Sequence, residues 1–188
     1  MRPRRLSDAS GRPLNFTSKA PRARPISKLP NSPNFLDFKT PGVVPPPALF
    51  LAALCLGLAV QYVKPRALLA HVVVGYATGS ALMVLGLALS TWVVLQFQRA
   101  GTPVSPFRPS SQLVVSGPYR ISRNPDYIGQ ALLCTGIALV LNSIWVLLAE
   151  LPALLLIRYA VIAREERYLE ARFGEEYARY CQCVHRWF

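Results

Sequence analysis

Charge is scarce in this chain. Only 16% of its 188 residues are charged, and acids are the scarcer sign, with nine Asp and Glu against 21 Lys and Arg. A soluble domain of this size usually carries more charge and fewer apolar residues than the 52% found here. Cysteine is also sparse, with four in all. Cys55 and Cys134 sit inside apolar runs, where a thiol behaves as a small hydrophobe. Cys181 and Cys183 precede His185, but this spacing matches no common zinc pattern and lacks a fourth ligand, so no metal is expected. No disulfide framework is implied. The first basic residues are not closely followed by an apolar run, which makes a secretory signal peptide a poor fit.

The basic excess, a formal net charge of +12, suggests nucleic acid until its distribution is considered. Nine of the 21 basic residues fall in the first 40 positions, and most others flank apolar runs. That is the arrangement of a membrane protein facing anionic headgroups, and no folded basic module with stacking aromatics is visible. Nucleic acid is therefore not an expected partner, whereas membrane lipid is. Residues 1–46, rich in Arg, Pro and Ser, read as a disordered cytoplasmic tail, with an organelle transit peptide as the alternative. Residues 47–188 read as one membrane domain.

Apolar runs cover 48–63, 68–97, 127–141 and 144–163. They predict an all-α fold, a polytopic membrane helical bundle of about four spans, followed by an amphipathic C-terminal helix. Gly75 and Gly79 form a small-residue pair with Gly86 beyond it, read as helix packing within the chain. Asn142 and Ser143 break the third run from the fourth and predict a tight hairpin. From Arg164 onward, Leu169, Phe173, Tyr177, Tyr180 and Val184 recur at helical spacing as one apolar stripe, with Gly174 positioned to cap or bend the helix. Lys64 and Arg66 fall between the first two runs. Arg99, Arg108, Arg120 and Arg123 fall in the 98–126 connection. The bias predicts both termini on the cytoplasmic side, with the connection and the tail facing each other there.

Two segments concentrate polar chemistry. The first runs Gly117-Pro118-Tyr119-Arg120-Ile121-Ser122-Arg123-Asn124-Pro125-Asp126-Tyr127-Ile128-Gly129. Asn124-Pro125 predicts a turn, and Asp126 a cap for the following helix. Its arginines serve equally as positive-inside anchors. The second begins at Glu165-Glu166 and continues through Phe173-Gly174, Glu176-Tyr177, Tyr180 and Val184 to Arg186-Trp187. Adjacent carboxylates where a span leaves the membrane are costly unless hydrated or paired, so they need an arginine or a ligand amine. Glu150 and Arg158, eight residues apart, are read as lying roughly on one face.

These segments resemble the isoprenylcysteine carboxyl methyltransferase and phospholipid methyltransferase superfamily of integral membrane enzymes, in a bacterial-type form. The shared pattern is a Gly-Pro-Tyr-Arg element, an Arg-(His/Asn)-Pro element, two apolar segments, a Glu-Glu pair and Phe-Gly with spaced tyrosines. Ala100-Gly101-Thr102, Pro106 and Leu113 add to the likeness, which covers about residues 48–188. The resemblance implies S-adenosylmethionine as cofactor, bound without a Rossmann domain, which fits the lack of any strand followed by a Gly-rich loop. It implies catalytic roles for Arg123, Asn124 and Tyr127. It also implies cofactor contacts from Tyr119, Arg120, Arg123, Asn124, Glu165, Glu166 and Tyr177, and a lipidic or amphipathic methyl acceptor. It places the protein in a bacterial inner membrane. Asn124 stands where prenylcysteine and lipid enzymes commonly have His. An amide cannot act as a base near neutral pH, so this position suits a carboxylate or thiolate acceptor better than an amine. The expected activity is therefore carboxyl O-methylation like that of the isoprenylcysteine enzymes. Phospholipid N-methylation and a non-catalytic scaffold are the alternatives, and sparsely charged spans argue against a transporter or channel subunit.

Overall fold

The computed structural model describes residues 45–102 and 110–187. Most of the basic tail, with Pro106 and Arg108, lies outside the described residues. Helix α1 spans Pro46–Val63 and α2 spans Val72–Arg99. Pro46, counted above with the tail, opens α1: a proline costs nothing in a first turn, whose N–H groups have no helical acceptor. Helix α2 has 28 residues, about 42 Å at ~1.5 Å each, and so exceeds the ~30 Å of a hydrocarbon core. A single 3₁₀ turn, Gly117–Arg120, interrupts the connection. Helix α3 spans Pro125–Val140 and α4 spans Ile144–Leu156. No strand occurs among the described residues. Among the described residues three helices are long and apolar enough to cross a membrane, while α3, with 16 residues, is shorter than a full span. The outward faces stay apolar, as a lipid-facing surface requires, with Val73 80% and Val84 65% exposed.

The fourth apolar run and the start of the amphipathic tail are not separate helices. From α4 the chain passes through a π-helical stretch, Ile157–Ile162, into α5, Ala163–Phe173, giving 30 continuous residues. The change from apolar to charged at Arg164 marks a change of surroundings and does not stop the helix, because no residue there breaks the backbone bonding. The break comes at Gly174, whose φ is +57°, and α6 follows as Glu175–Cys183.

Helices α2 and α3 are the most intimate pair. A Cβ built on Gly79 would lie 2.7 Å from the Gly136 carbonyl oxygen, and one on Gly86 would lie 2.5 Å from that of Gly129. Small residues on both faces let the backbones approach this closely, the main source of helix association where lipid removes the hydrophobic drive. One core cluster joins Phe50, Tyr127, Cys134, Ala138, Val146, Ile157 and Ile162. A second joins Leu113 to Phe173, Tyr177, Tyr180 and Val184, so the apolar stripe of the tail packs on the 98–126 connection.

The end of the bundle opposite the tail is tied by side chains. Asn142, at φ +47°, accepts from the amides of Leu68 (2.9 Å) and Leu69 (2.7 Å) through its Oδ1. Its Nδ2 donates to the Leu69 carbonyl at 3.0 Å. Ser143 Oγ donates to Gln61 Oε1 at 3.0 Å, and Trp145 Nε1 donates to the Lys64 carbonyl at 2.6 Å. Asn142→Ala removes three hydrogen bonds and the residue type that best tolerates a left-handed backbone. It is expected to cost about 2–3 kcal/mol, read as a lowered melting temperature in detergent.

Glu150 and Arg158 do not share a face. Glu150 is 2% exposed and accepts from Thr135 Oγ1 at 2.9 Å, whereas Arg158 points outward against the Tyr159 ring. Eight helical steps of about 100° overshoot two turns by about 80°, and the π turn begins within that interval.

Candidate active site

The site forms where the connection, the mouth of α3, and helices α5 and α6 converge. The Ser122–Asn124 turn leads into Pro125 at the first position of α3. The N-cap position belongs to Asn124 and not to Asp126. Asn124 makes no side-chain cap bond, because its Nδ2 donates instead to the Arg186 carbonyl at 2.9 Å. Asp126 lies in the first turn, where a carboxylate suits the helix dipole, and accepts from Gln130 Nε2 at 2.7 Å.

Glu165 and Glu166 are adjacent in sequence but about 100° apart around α5, and they have different partners. Tyr127 Oη donates to Glu165 Oε1 at 2.7 Å. Glu166 takes two guanidiniums: Arg123 Nη1 lies 3.2 Å from Oε1, while Arg186 bonds through Nε to Oε1 at 3.0 Å and through Nη2 to Oε2. Arg123 Nη1 also contacts Cys181 Sγ, and Arg123 Nε is buried without a hydrogen-bond partner among the described residues. Tyr180 Oη donates to the Tyr119 carbonyl at 2.7 Å, fixing α6 to the 3₁₀ turn. Burial raises the Tyr119 phenol well above its ordinary value and pushes those of Tyr177 and Tyr180 up as well. All three therefore remain hydroxyls at any physiological pH.

These groups line a cleft of about 480 Å³, a size suited to a small-molecule cofactor. Tyr119, Arg123, Asn124, Tyr127, Glu165, Glu166 and Tyr177, all singled out in the sequence, line it together. Arg120 does not: it is exposed and absent from the cleft wall. Val93, Phe97, Leu113, Val114 and Leu169 give apolar walls, and Pro45–Pro47 close one side. Sequence reasoning passed over Asp126 and Tyr180 as lining residues, and Arg186 as the partner of Glu166. The need of the acidic pair for an arginine was readable, but the tail and connection offer several arginines and no local pattern selects one.

The phospholipid methyltransferase family model matches residues 74–176, more than half of the chain. A protein of Haemophilus influenzae described only as uncharacterized is 59% identical over 34 residues, which is 18% of this chain and 54% of that protein. The chain therefore matches about half the length of that relative. No solved structure matches.

Proposed function

This chain belongs to the phospholipid methyltransferase family, and from that membership we propose that it is an integral membrane enzyme that transfers a methyl group from S-adenosylmethionine to a lipidic acceptor. The observation that carries the reading is the joint lining of one cleft by Arg123 of the turn and the acidic pair, 42 and 43 residues further along the sequence. The donor's chemistry fits the groups present. Glu165 would take the ammonium or ribose hydroxyls, the buried and unpartnered Nε of Arg123 would take the carboxylate, and Leu113, Val114 and Leu169 would flank the adenine. When bound, the donor supplies a methyl group on a positively charged sulfur. The protein's task is then to align the acceptor in line and to exclude water. On this reading the distribution of basic residues puts the cleft at the cytoplasmic surface of the membrane, with both termini inside.

The charges of the cleft favour an amine acceptor over the carboxylate that Asn124 suggested. Among the described residues its lining holds the carboxylates Asp126, Glu165 and Glu166 and the cation Arg123; Glu166 is matched by Arg123 and Arg186, which leaves Asp126 and Glu165 with no guanidinium opposite them. With the donor's carboxylate on Arg123 and its ammonium on Glu165, an acceptor carboxylate would meet Asp126, whereas an ammonium headgroup is attracted there and can pass its proton to Asp126 before attack. Asn124 then needs no role as a base. The test is transfer from methyl-labelled S-adenosylmethionine by the purified protein into vesicles containing both amine-headed lipid and prenylcysteine, with products resolved by mass spectrometry. Label in the amine headgroup is expected. Label released as methanol by mild base would overturn the amine assignment in favour of the carboxyl enzyme. Donor binding without any transfer would favour a scaffold.

A further inference from the structure

The segment after α6 folds back over the Ser122–Asn124 turn. The Arg123 amide donates to the His185 carbonyl at 3.0 Å. Asn124 Nδ2 and Ser122 Oγ both donate to the Arg186 carbonyl, at 2.9 and 3.2 Å. Trp187 packs against the core cluster beneath. The Arg186 guanidinium turns the other way and grips both oxygens of Glu166. One residue thus ties together the turn that carries Arg123 and the helix that carries the acidic pair, through its main chain on one side and its side chain on the other.

The geometry points to Arg186 as a positioning residue for the donor site, one that engages Glu166 and so aims Arg123 at the carboxylate end of an amino-acid-bearing methyl donor. This rests on the donor proposed above. Without Arg186, Glu166 has both oxygens free to draw the Arg123 guanidinium into a closed one-to-one pair. With it, two guanidiniums share one carboxylate, a positive surplus remains, and the buried Nε of Arg123 has no acceptor among the described residues. A donor carboxylate supplies that acceptor. The Asn124 Nδ2, committed to the Arg186 carbonyl, anchors the same strap from the cleft wall.

The test compares binding of S-adenosylmethionine with binding of its decarboxylated analogue, using the purified full chain in detergent micelles. Arg186→Ala is expected to weaken the parent ligand about tenfold, the scale of one charge-assisted hydrogen bond, and to leave the analogue within about twofold. Arg186→Lys, which keeps charge but loses the bidentate fork, should fall between, and it carries the test if the alanine variant does not fold. A loss equal for both ligands, or no loss for either, overturns the proposal. Hydrogen exchange of the 122–124 amides separates this from failure of the donor reading. If the native protein binds neither ligand, the donor assignment falls and with it the aim given to Arg123. Faster exchange in Arg186→Ala would then still uphold the strap, and unchanged exchange would sink it too.

Discussion

Glu165→Gln is expected to weaken binding of S-adenosylmethionine by about 10–100-fold while the protein still folds. The expectation follows from the division of labour within the acidic pair. Glu166 is engaged by two arginines, whereas among the described residues Glu165 meets the Tyr127 hydroxyl alone and lines the cleft with its remaining lone pairs. The amide keeps the shape and can still accept from Tyr127, so packing of α3 against α5 survives. The charge is lost, and with it a charge-assisted bond to an ammonium, worth about 1.5–3 kcal/mol or a factor of roughly 10–100. Equilibrium dialysis with labelled donor reads the loss, and a thermal melt verifies the fold. Arg158→Ala, on the outward face, serves as the control and should bind normally. Undiminished binding by Glu165→Gln would remove Glu165 from the donor site.

Gly86→Val is expected to abolish the folded protein. The first added carbon would sit 2.5 Å from the Gly129 carbonyl oxygen and 2.8 Å from the Leu133 amide nitrogen, both backbone atoms that cannot rotate aside. Helices α2 and α3 would have to separate along the whole seam, since Gly79 faces Gly136 on the same line. Overpacking typically costs about 1–3 kcal/mol and exceeds that where, as here, the clashing atoms are backbone, and lipid offers no compensating drive to hold the helices together. Monodisperse yield after detergent extraction is the measure. Val84→Ala, two residues away but exposed to lipid, should extract like the native protein. Normal yield from Gly86→Val would mean that the seam tolerates a wider spacing than its geometry implies.

The helices themselves were legible because apolar runs and the Asn142-Ser143 break are properties of single segments. What sequence could not give is what depends on angle. The continuity of Ile144–Phe173 was hidden because charge begins at Arg164, and charge reports the edge of the bilayer and not the end of a helix. The split between Glu165 and Glu166 was hidden because a motif reads them as a pair, while a helix turns them to different neighbours. Arg120 and Arg123 are equivalent as letters three apart. Only the turn at 122–124 decides that Arg123 enters the cleft and Arg120 faces outward. The partner of Glu166 came from the far end of the chain, where spacing carries no information.

The cross-bracing by Asn142, Ser143 and Trp145 has a mechanical consequence. The loop between α1 and α2 and the loop between α3 and α4 are pinned to each other by hydrogen bonds, so the four helices cannot splay at that end. The cleft lies at the other end, where the ties are side-chain bonds between helices and tail, Tyr127 to Glu165 and Arg186 to Glu166. The same helices thus carry a base laced loop to loop and a rim whose fastenings run through the cleft-lining residues themselves.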